Sequence, residues 1–591
     1  MRRRWGKGIF PVRPQLKSIV PRASLVPFMT IPLNDLPSKV SPVELLKAGS
    51  PTLAGTIAQT LADPVSDRFS DNDSQFLKFH GIYQQDDRDL RKTGKTYIMM
   101  VRLRLPGGVL TPAQYLACDA LAARHANNTL RVTSRQSLQF HGVLKSNLGP
   151  LIRGIHETLL STLAACGDVN RNVIAPPSSP ADDFGRQVHA HARQIALALA
   201  PRTPAYHSIW IDGVALNLED PKTREFEDPL YGRTYLPRKF KIGFAIPPVN
   251  DCDILSNCCG FIAIAGDNGQ LRGYNLVAGG GMGRSHGNEA TFPRLADVMG
   301  FLPSDRVEEV ARAVLTIHRD FGGRADRKHA RLKYVLADRG VAWFREELDR
   351  RLGFKLDEAR PFQFDRQGDL VGWRRQADGR LALGIFVETG RIKDQQEVRM
   401  KTALREVVRK FEPEVRLTPA NNLLLAQVDP EYQEEITRLL AAHGVRIHSQ
   451  GSLLRRASMA CVSLPTCGLG LAESERCLPD LITRIEALLA ETGLEDQEIT
   501  IRMTGCPNGC ARPYLAEIGF VGKAPGRYQI WLGGNASSTR LNRLWRDNVI
   551  ETNLIAELRP LVTRYARERA AGESFGDWVA RVLWAESPAT A

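Results

Sequence analysis

Little in this sequence belongs to a membrane protein, a secreted scaffold or a nucleotide-binding enzyme. No uninterrupted apolar run reaches the roughly 20 residues of a membrane-spanning helix. Ten cysteines in 591 residues are too few and too unevenly spaced for a disulfide framework, which points to metal or redox work in a reducing compartment such as the cytoplasm. Ala278-Gly279-Gly280-Gly281-Met282-Gly283 follows a strand-like segment, yet its glycines do not match GxGxxG, and no GxxxxGK(S/T) loop is present. The chain shows no obvious nicotinamide or flavin site of its own, so a reductase built on it must receive electrons from elsewhere. Acidic residues are missing before Asp35, whereas Arg2, Arg3, Arg4, Lys7, Arg13, Lys17 and Arg22 precede it. Half of the net charge of +14 therefore sits in a tail, and the remainder is a weak argument for nucleic-acid binding. The tail lacks the apolar core of a secretory signal and has the Arg-rich, acid-free character of a transit peptide. It reads more simply as a disordered extension, or as an over-called start with Met29 as the initiator.

What is present is ordinary globular composition, 43% hydrophobic and 24% charged, over a length of three to four typical domains. Ile98 to Leu105 reads as a strand ending at Pro106-Gly107-Gly108, and Thr111 to His125 as an amphipathic helix. A strand pair is expected between Leu130 and Val143. Apolar stripes at Val307, Val310, Ala311, Val314 and Leu315, and at Leu554, Leu558, Leu561, Val562 and Tyr565, predict two further helices. One internal repeat stands out: Leu130-Arg131-Val132-Thr133 with Leu138, Phe140 and Val143 recurs 285 residues later as Val415-Arg416-Leu417-Thr418 with Leu423, Leu425 and Val428. Each copy follows a Gly turn and an amphipathic helix, so two βαβ-like units are expected rather than a solenoid.

The strongest chemical pattern is Cys461-x5-Cys467 followed by Cys506-Pro507-Asn508-Gly509-Cys510. Four thiolates on two short loops can surround an iron–sulfur cluster or one tetrahedral metal ion, and Pro, Asn and Gly favour the tight turns this needs. Structural zinc usually uses two-residue gaps, so gaps of five and three fit it poorly. Cys252, Cys258 and Cys259 form an upstream decoy without a second compact pair; with Cys118, Cys166 and Cys477 they read as ordinary thiols. A second pattern is basic: Arg102 at a strand end, Arg171 in Asn170-Arg171-Asn172, and Lys239 and Lys241 around Phe240. On an extended strand Lys239 and Lys241 project to one face and could clamp a small anion. Taken singly, each is as well explained by a solvated surface charge.

Thr133 to His141, Cys461-x5-Cys467 and Thr504 to Cys510 resemble the sirohaem/4Fe-4S sulfite and nitrite reductase family, most of all its NADPH-type assimilatory haemoprotein (beta) subunits. Phe79 to Asp89, Tyr235 to Lys241 and Gly522 to Tyr528 extend the likeness, which runs from about Gly55 to Trp578. Gly468 departs from it, since relatives often carry Pro after that cysteine. The resemblance implies an α+β fold of duplicated ferredoxin-like, mixed-sheet modules, pseudo-twofold around a central sirohaem–cluster site. It implies that Cys461, Cys467, Cys506 and Cys510 ligate a 4Fe-4S cluster, with the Cys510 sulfur also the axial ligand of sirohaem iron. Arg102, Arg171, Lys239 and Lys241 fall on the family's sulfite-binding positions, where they would hold the anion and supply protons. Arg131, Arg135, Gln139 and His141 would lie near the sirohaem carboxylates, and Asn508 on its proximal side.

The implied reaction is six-electron reduction of sulfite to sulfide in assimilatory sulfur metabolism and cysteine biosynthesis. Electrons would come from an NADPH-dependent FAD/FMN flavoprotein (alpha) subunit, with ferredoxin as the alternative donor. Rival readings are a ferredoxin-dependent sulfite or nitrite reductase and, from another class, a zinc-containing nucleic-acid-binding protein; no membrane partner is expected. The domain reading is a basic, disordered extension over residues 1–63, a first ferredoxin-like module over 64–165, and a sirohaem and substrate domain over 166–365. A second ferredoxin-like module would span 366–445, and the cluster-binding domain 446–591.

Overall fold

The chain is seen in a computed structural model, which describes residues 40–178, 182–203, 210–211, 214–215, 226–447 and 451–585. Local sequence explains most of the first module. Thr111 and Gln114 form a reciprocal capping box and Pro112 opens the helix Pro112–His125. The turn before it needs glycine: Gly107 and Gly108 have φ of 68° and 72°. A Cβ on Gly108 would also meet the Leu417 carbonyl oxygen at 2.8 Å.

Two five-stranded antiparallel sheets carry the expected repeat. The first runs Ile82–Asp86, Tyr97–Arg102, Leu138–Val143, Leu130–Val132 and Arg391–Ile392. The second runs Gly372–Arg375, Leu381–Ile385, Leu423–Val428, Glu414–Leu417 and Val109–Leu110. Each module donates an edge strand to the other: Arg391 pairs with Arg131, and Leu110 with Val415. The exchange covers one edge of each sheet. The matching helices Pro112–His125 and Met400–Phe411 meet at buried Asp119, which pairs with Lys401 at 2.8 Å and with Arg405. Both modules share a single apolar core.

A second duplication accompanies the first and escapes the sequence reading. Ile242–Ala245 pairs parallel with Cys259–Ala265, which continues antiparallel through Leu271–Ala278 and Asp297–Pro303. Ile501–Thr504 likewise pairs parallel with Ile518–Ala524, then antiparallel through Arg527–Leu532 and Arg543–Ile550. Each sheet is followed by one of the striped helices, Val307–Phe321 and Leu554–Glu568, and every residue of the two predicted stripes is buried. The apolar sets repeat at helical spacing and face the sheets, which is why both helices were legible.

The expected disordered extension is corrected in its described part. Pro42–Gly49 and Ile57–Ala62 are helices, and Glu44 and Lys47 are buried. Two charged side chains stay buried there because they pair with each other at 2.6 Å. Residues 1–39, and with them Met29 and the basic tail, lie outside the described residues. Among the described residues no helix is long and apolar enough to cross a membrane.

Candidate functional site

The four cysteines predicted as ligands leave the ends of two adjacent parallel strands. Ser458–Ala460 runs straight into Cys461, and Ile501–Thr504 into Gly505 and Cys506. Cys461 N donates to Met503 O at 3.1 Å, while Leu471 N and Ala472 N both donate to Gly505 O, at 2.8 and 3.0 Å. Cys467 is set by a turn, its N donating to Ser463 O at 2.9 Å. Arg88 clamps that loop from outside, its guanidinium donating to Cys467 O at 2.6 Å and Gly470 O at 2.7 Å. The turn to Cys510 uses Gly509 at φ 62°, and Asn508 Nδ2 lies 3.4 Å from Cys506 Sγ.

Three of the four thiols respond to the charge of Cys510. Burial pushes Cys461 well above the usual thiol range, and the neighbouring charges of Cys510, Cys506 and Cys467 push in the same direction. Cys506 is raised to about 11 by burial and then by Cys510, and Cys467 is raised by the same two causes. Yet among the described residues no three His, Cys, Asp or Glu side chains close on a single ion. Four thiols on two neighbouring loops are the donor set a 4Fe-4S cluster takes.

The basic residues assemble from two paired segments. Phe240 N donates to Val169 O at 3.1 Å and Arg171 N to Phe240 O at 2.9 Å, which places Arg171 beside Lys239 and Lys241. Burial lowers Lys239 to about 7, and Arg238 and Arg331 add to the fall. Lys241 is driven well below the ordinary lysine range by burial and then by Lys239 and Arg135. Arg102 donates to Cys166 Sγ at 3.2 Å, and its strand partner is Gln139. The two patterns meet, because the charge of Cys510 acts on both Lys239 and Arg102.

The other predicted residues have defined partners. Arg135 donates to Asn257 Oδ1 and Ile242 O, both at 2.7 Å, and burial lowers it to about 9. Arg131 donates to Glu475 at 3.1 Å and to Ala460 O at 2.9 Å, so its guanidinium braces the strand leading to Cys461. His141 lies 3.4 Å from Gln139 and is pushed well below its ordinary value by burial and by Arg391. Of the cysteines read as ordinary, Cys166 touches Arg102. Cys258 accepts from Arg331 at 3.4 Å, and despite burial Arg331 holds its thiol below the usual range. Neither joins the four-thiol group.

The sequence reading missed Arg331 and Lys333. Lys333 is fully buried, donates to Gly283 O at 2.7 Å and Gly281 O at 3.2 Å, and is lowered to about 6 by burial and Arg331. Its signal was available, since Arg331-Leu332-Lys333 repeats the alternating cations of Lys239-Phe240-Lys241. Arg102, Arg135, Arg171, Lys239, Lys241, Arg331 and Lys333 are buried or half-buried, and none has a carboxylate ion pair among the described residues. Arg331 Nε and both side-chain polar atoms of Asn170 are buried without a partner. Carbonyl oxygens satisfy Arg135, Arg171 and Lys333 in part but carry no countercharge, so a cluster of like charges of this kind favours an anionic guest. A polycarboxylate tetrapyrrole such as sirohaem, together with a small oxyanion, fits that donor set, and the four thiols fit a 4Fe-4S cluster.

Comparison with known proteins gives the family. Residues 191–356 match the nitrite and sulphite reductase 4Fe-4S domain, a stretch that contains Lys239, Lys241 and Arg331 but not the four clustered cysteines. Residues 90–158 and 374–443 match the nitrite/sulfite reductase ferredoxin-like half domain, one copy in each exchanged module. A sulfite reductase (NADPH) hemoprotein beta-component of Myxococcus xanthus is 49% identical over 94% of this chain and 99% of its own. One from Geobacillus kaustophilus is 49% identical over 92% of this chain and 95% of its own. Among solved structures, Mycobacterium tuberculosis NirA superposes with a TM-score of 0.74 at 26% identity, covering 91% of this chain and 95% of that one. With near-full-length identity of about one half and two ferredoxin-like half domains around the thiol and cation cleft, this chain belongs to the sulfite reductase (NADPH) hemoprotein beta-component family of nitrite and sulfite reductases.

Proposed function

We propose that the chain reduces sulfite to sulfide. Hydrogensulfite takes up six electrons and six protons to give hydrogensulfide and three waters. The observation that carries this reading is a cluster of cations without carboxylate partners among the described residues, beside four neighbouring thiols, in a chain about half identical to named sulfite reductase hemoproteins. Sirohaem and a 4Fe-4S cluster, when bound, supply the electron transfer. Cys461, Cys467, Cys506 and Cys510 would hold the cluster, Cys510 being shared with sirohaem. Arg135 and Arg331 would face sirohaem carboxylates, with Gln139, His141 and Asn508 nearby; Lys333 would brace residues 281–283 through their carbonyls, and Arg131 would act through Glu475 and Ala460.

The protein's own contribution is to bind, orient and protonate. Arg102 and Arg171 are permanent positive charges, suited to holding the oxyanion throughout. Lys239, lowered to about 7, is near the pKa at which a group both carries and releases a proton at neutral pH. A dense positive cleft also retains partly reduced anions until reduction is complete.

Residues 166–365 would then serve as the anion-binding part and 446–591 as the cluster-binding part, with the modules at 64–165 and 366–445 as scaffold. The electron donor we propose is an NADPH-dependent FAD/FMN flavoprotein subunit and the compartment the cytoplasm, in line with ten free cysteines. The test is steady-state turnover of the purified, coloured protein with sulfite and nitrite, using a reduced dye, then an NADPH flavoprotein or ferredoxin. Sulfide formation with kcat/KM favouring sulfite is expected. A colourless zinc protein, or a strong nitrite preference, refutes the reading.

A further inference from the structure

Next to Arg238 lies a buried carboxylate on which cations from several chain segments converge. Asp168 is 1% exposed. Its oxygens lie 2.6 and 2.9 Å from Arg327, 3.6 Å from Lys47 and 3.7 Å from Arg238. Lys47 also donates to Leu236 O at 2.8 Å, and Arg324, paired with Glu44, donates to Tyr235 O at 2.8 Å. Lys78 and His318 stand within reach of the same negative charge. Despite its burial, Asp168 is held ionised below the usual carboxylate range by Arg327 and Lys47.

The backbone of Asp168 takes part as well. Leu236 N donates to Asp168 O at 3.0 Å, the first of three hydrogen bonds that join residues 168–171 to 236–240. Arg171 leaves the first segment and Lys239 and Lys241 leave the second. Arg238 and Lys239 are adjacent and both feel the charge of Arg331, so which of them serves the anion depends on what each is tied to. Arg238 is the one tied, through its ion pair with Asp168. Without the carboxylate, Arg238, Arg327 and Lys47 would repel one another in a buried space, and Arg238 would be free to compete for the anion.

We propose that Asp168 is a positioning residue for the anion: its carboxylate ties Arg238 and Arg327 and thereby sets the spacing of Arg171, Lys239 and Lys241. The inference rests on the reading of those three cations as the sulfite site.

The experiment compares Asp168→Asn, Asp168→Glu and Arg238→Gln in the cofactor-loaded enzyme, recording kcat and KM for sulfite with a reduced dye, and haem absorbance per chain. Asp168→Asn should raise KM about tenfold or more with haem absorbance retained, and Asp168→Glu should recover most of that loss. Arg238→Gln leaves Asp168 neutralised by Arg327 and Lys47, so it should fold normally and still raise KM several-fold. An unchanged KM in Asp168→Asn overturns the proposal. Should that variant fail to load haem, Arg238→Gln decides, and an unchanged KM there overturns it. Equal damage in Asp168→Asn and Asp168→Glu, with haem lost from both and KM unaltered in Arg238→Gln, means a structural role only and overturns it too. A wild-type enzyme inactive with sulfite sinks the functional reading itself, whereas an active wild type with unaffected variants sinks only the positioning role.

Discussion

Glu475→Gln probes the tie between the first module and the cluster loops. The Glu475 carboxylate accepts from Arg391 at 2.7 and 2.9 Å and from Arg131 at 3.1 Å, and the Arg131 side chain is only 2% exposed. Burial opposes ionisation, yet Arg391 and Arg131 outweigh it and pull Glu475 from 4.5 to about 2. A depression of that size is about 3 kcal/mol of stability near neutral pH. Breaking a buried pair by removing one partner costs about 3–5 kcal/mol by a separate route, so a loss of about 3 kcal/mol is expected. With about 2 cal/mol/K of unfolding entropy per residue, a cooperative chain of this length should lose roughly 2–3 °C in Tm.

Local damage should exceed that, because Arg131 also donates to Ala460 O, one residue before Cys461. Scanning calorimetry and the rate of visible absorbance loss under mild heating are the assays. The sign with pH follows from the depressed pKa: the contribution is complete above about pH 4.5 and fades as the pH falls towards 2. The gap between wild type and Glu475→Gln should narrow over that range. A Tm within half a degree of wild type, with unchanged cofactor loss, would refute the reasoning.

Three further outcomes are expected. Gly505→Ala would place a Cβ on Ser463 Oγ and the Ala472 carbonyl oxygen, displacing the turn that joins the two thiol loops, so iron and acid-labile sulfide per chain should drop sharply. Lys239 is charged below about pH 7 and neutral above it, so Lys239→Arg should shift the alkaline limb of kcat/KM upward by a pH unit or more. Comparing the two proteins cancels the ionisation of sulfite itself, and coincident limbs would exclude Lys239 as the titrating group. Cys510→Ser should abolish sulfite reduction, whereas Cys258→Ser, whose thiol sits against Arg331 outside the four-thiol group, should keep its full iron content. Equal iron loss in both would erase the distinction between ligand and bystander.

Features legible in the sequence were those carried by short-range pattern. The stripes at Val307–Leu315 and Leu554–Tyr565 repeat at helical spacing, and the capping signals around Thr111 lie within four residues. The Cys-Pro-Asn-Gly-Cys turn encodes its own geometry, so the thiol loops could be named without a structure. The second duplication was not legible. Its strands share pairing order but no side-chain motif, because any set of apolar residues of suitable size fills such a sheet. The order through residues 40–63 was also missed, since Glu44 and Lys47 look like surface charges until Asp168 and Arg324 are brought beside them.

The amino-acid sequence by itself determined the paired thiol loops and the repeat of the ferredoxin-like halves, each written in residues close together along the chain. Only the tertiary structure decided the electrostatics. It joined the Cys510 loop to Lys239 and Arg102, paired Arg131 with Glu475, and left Arg331 and Lys333 among seven cations without carboxylate partners among the described residues. The reason is physical. A charge has no value until its distance to other charges and its access to water are known, and in this chain those partners lie up to several hundred residues apart.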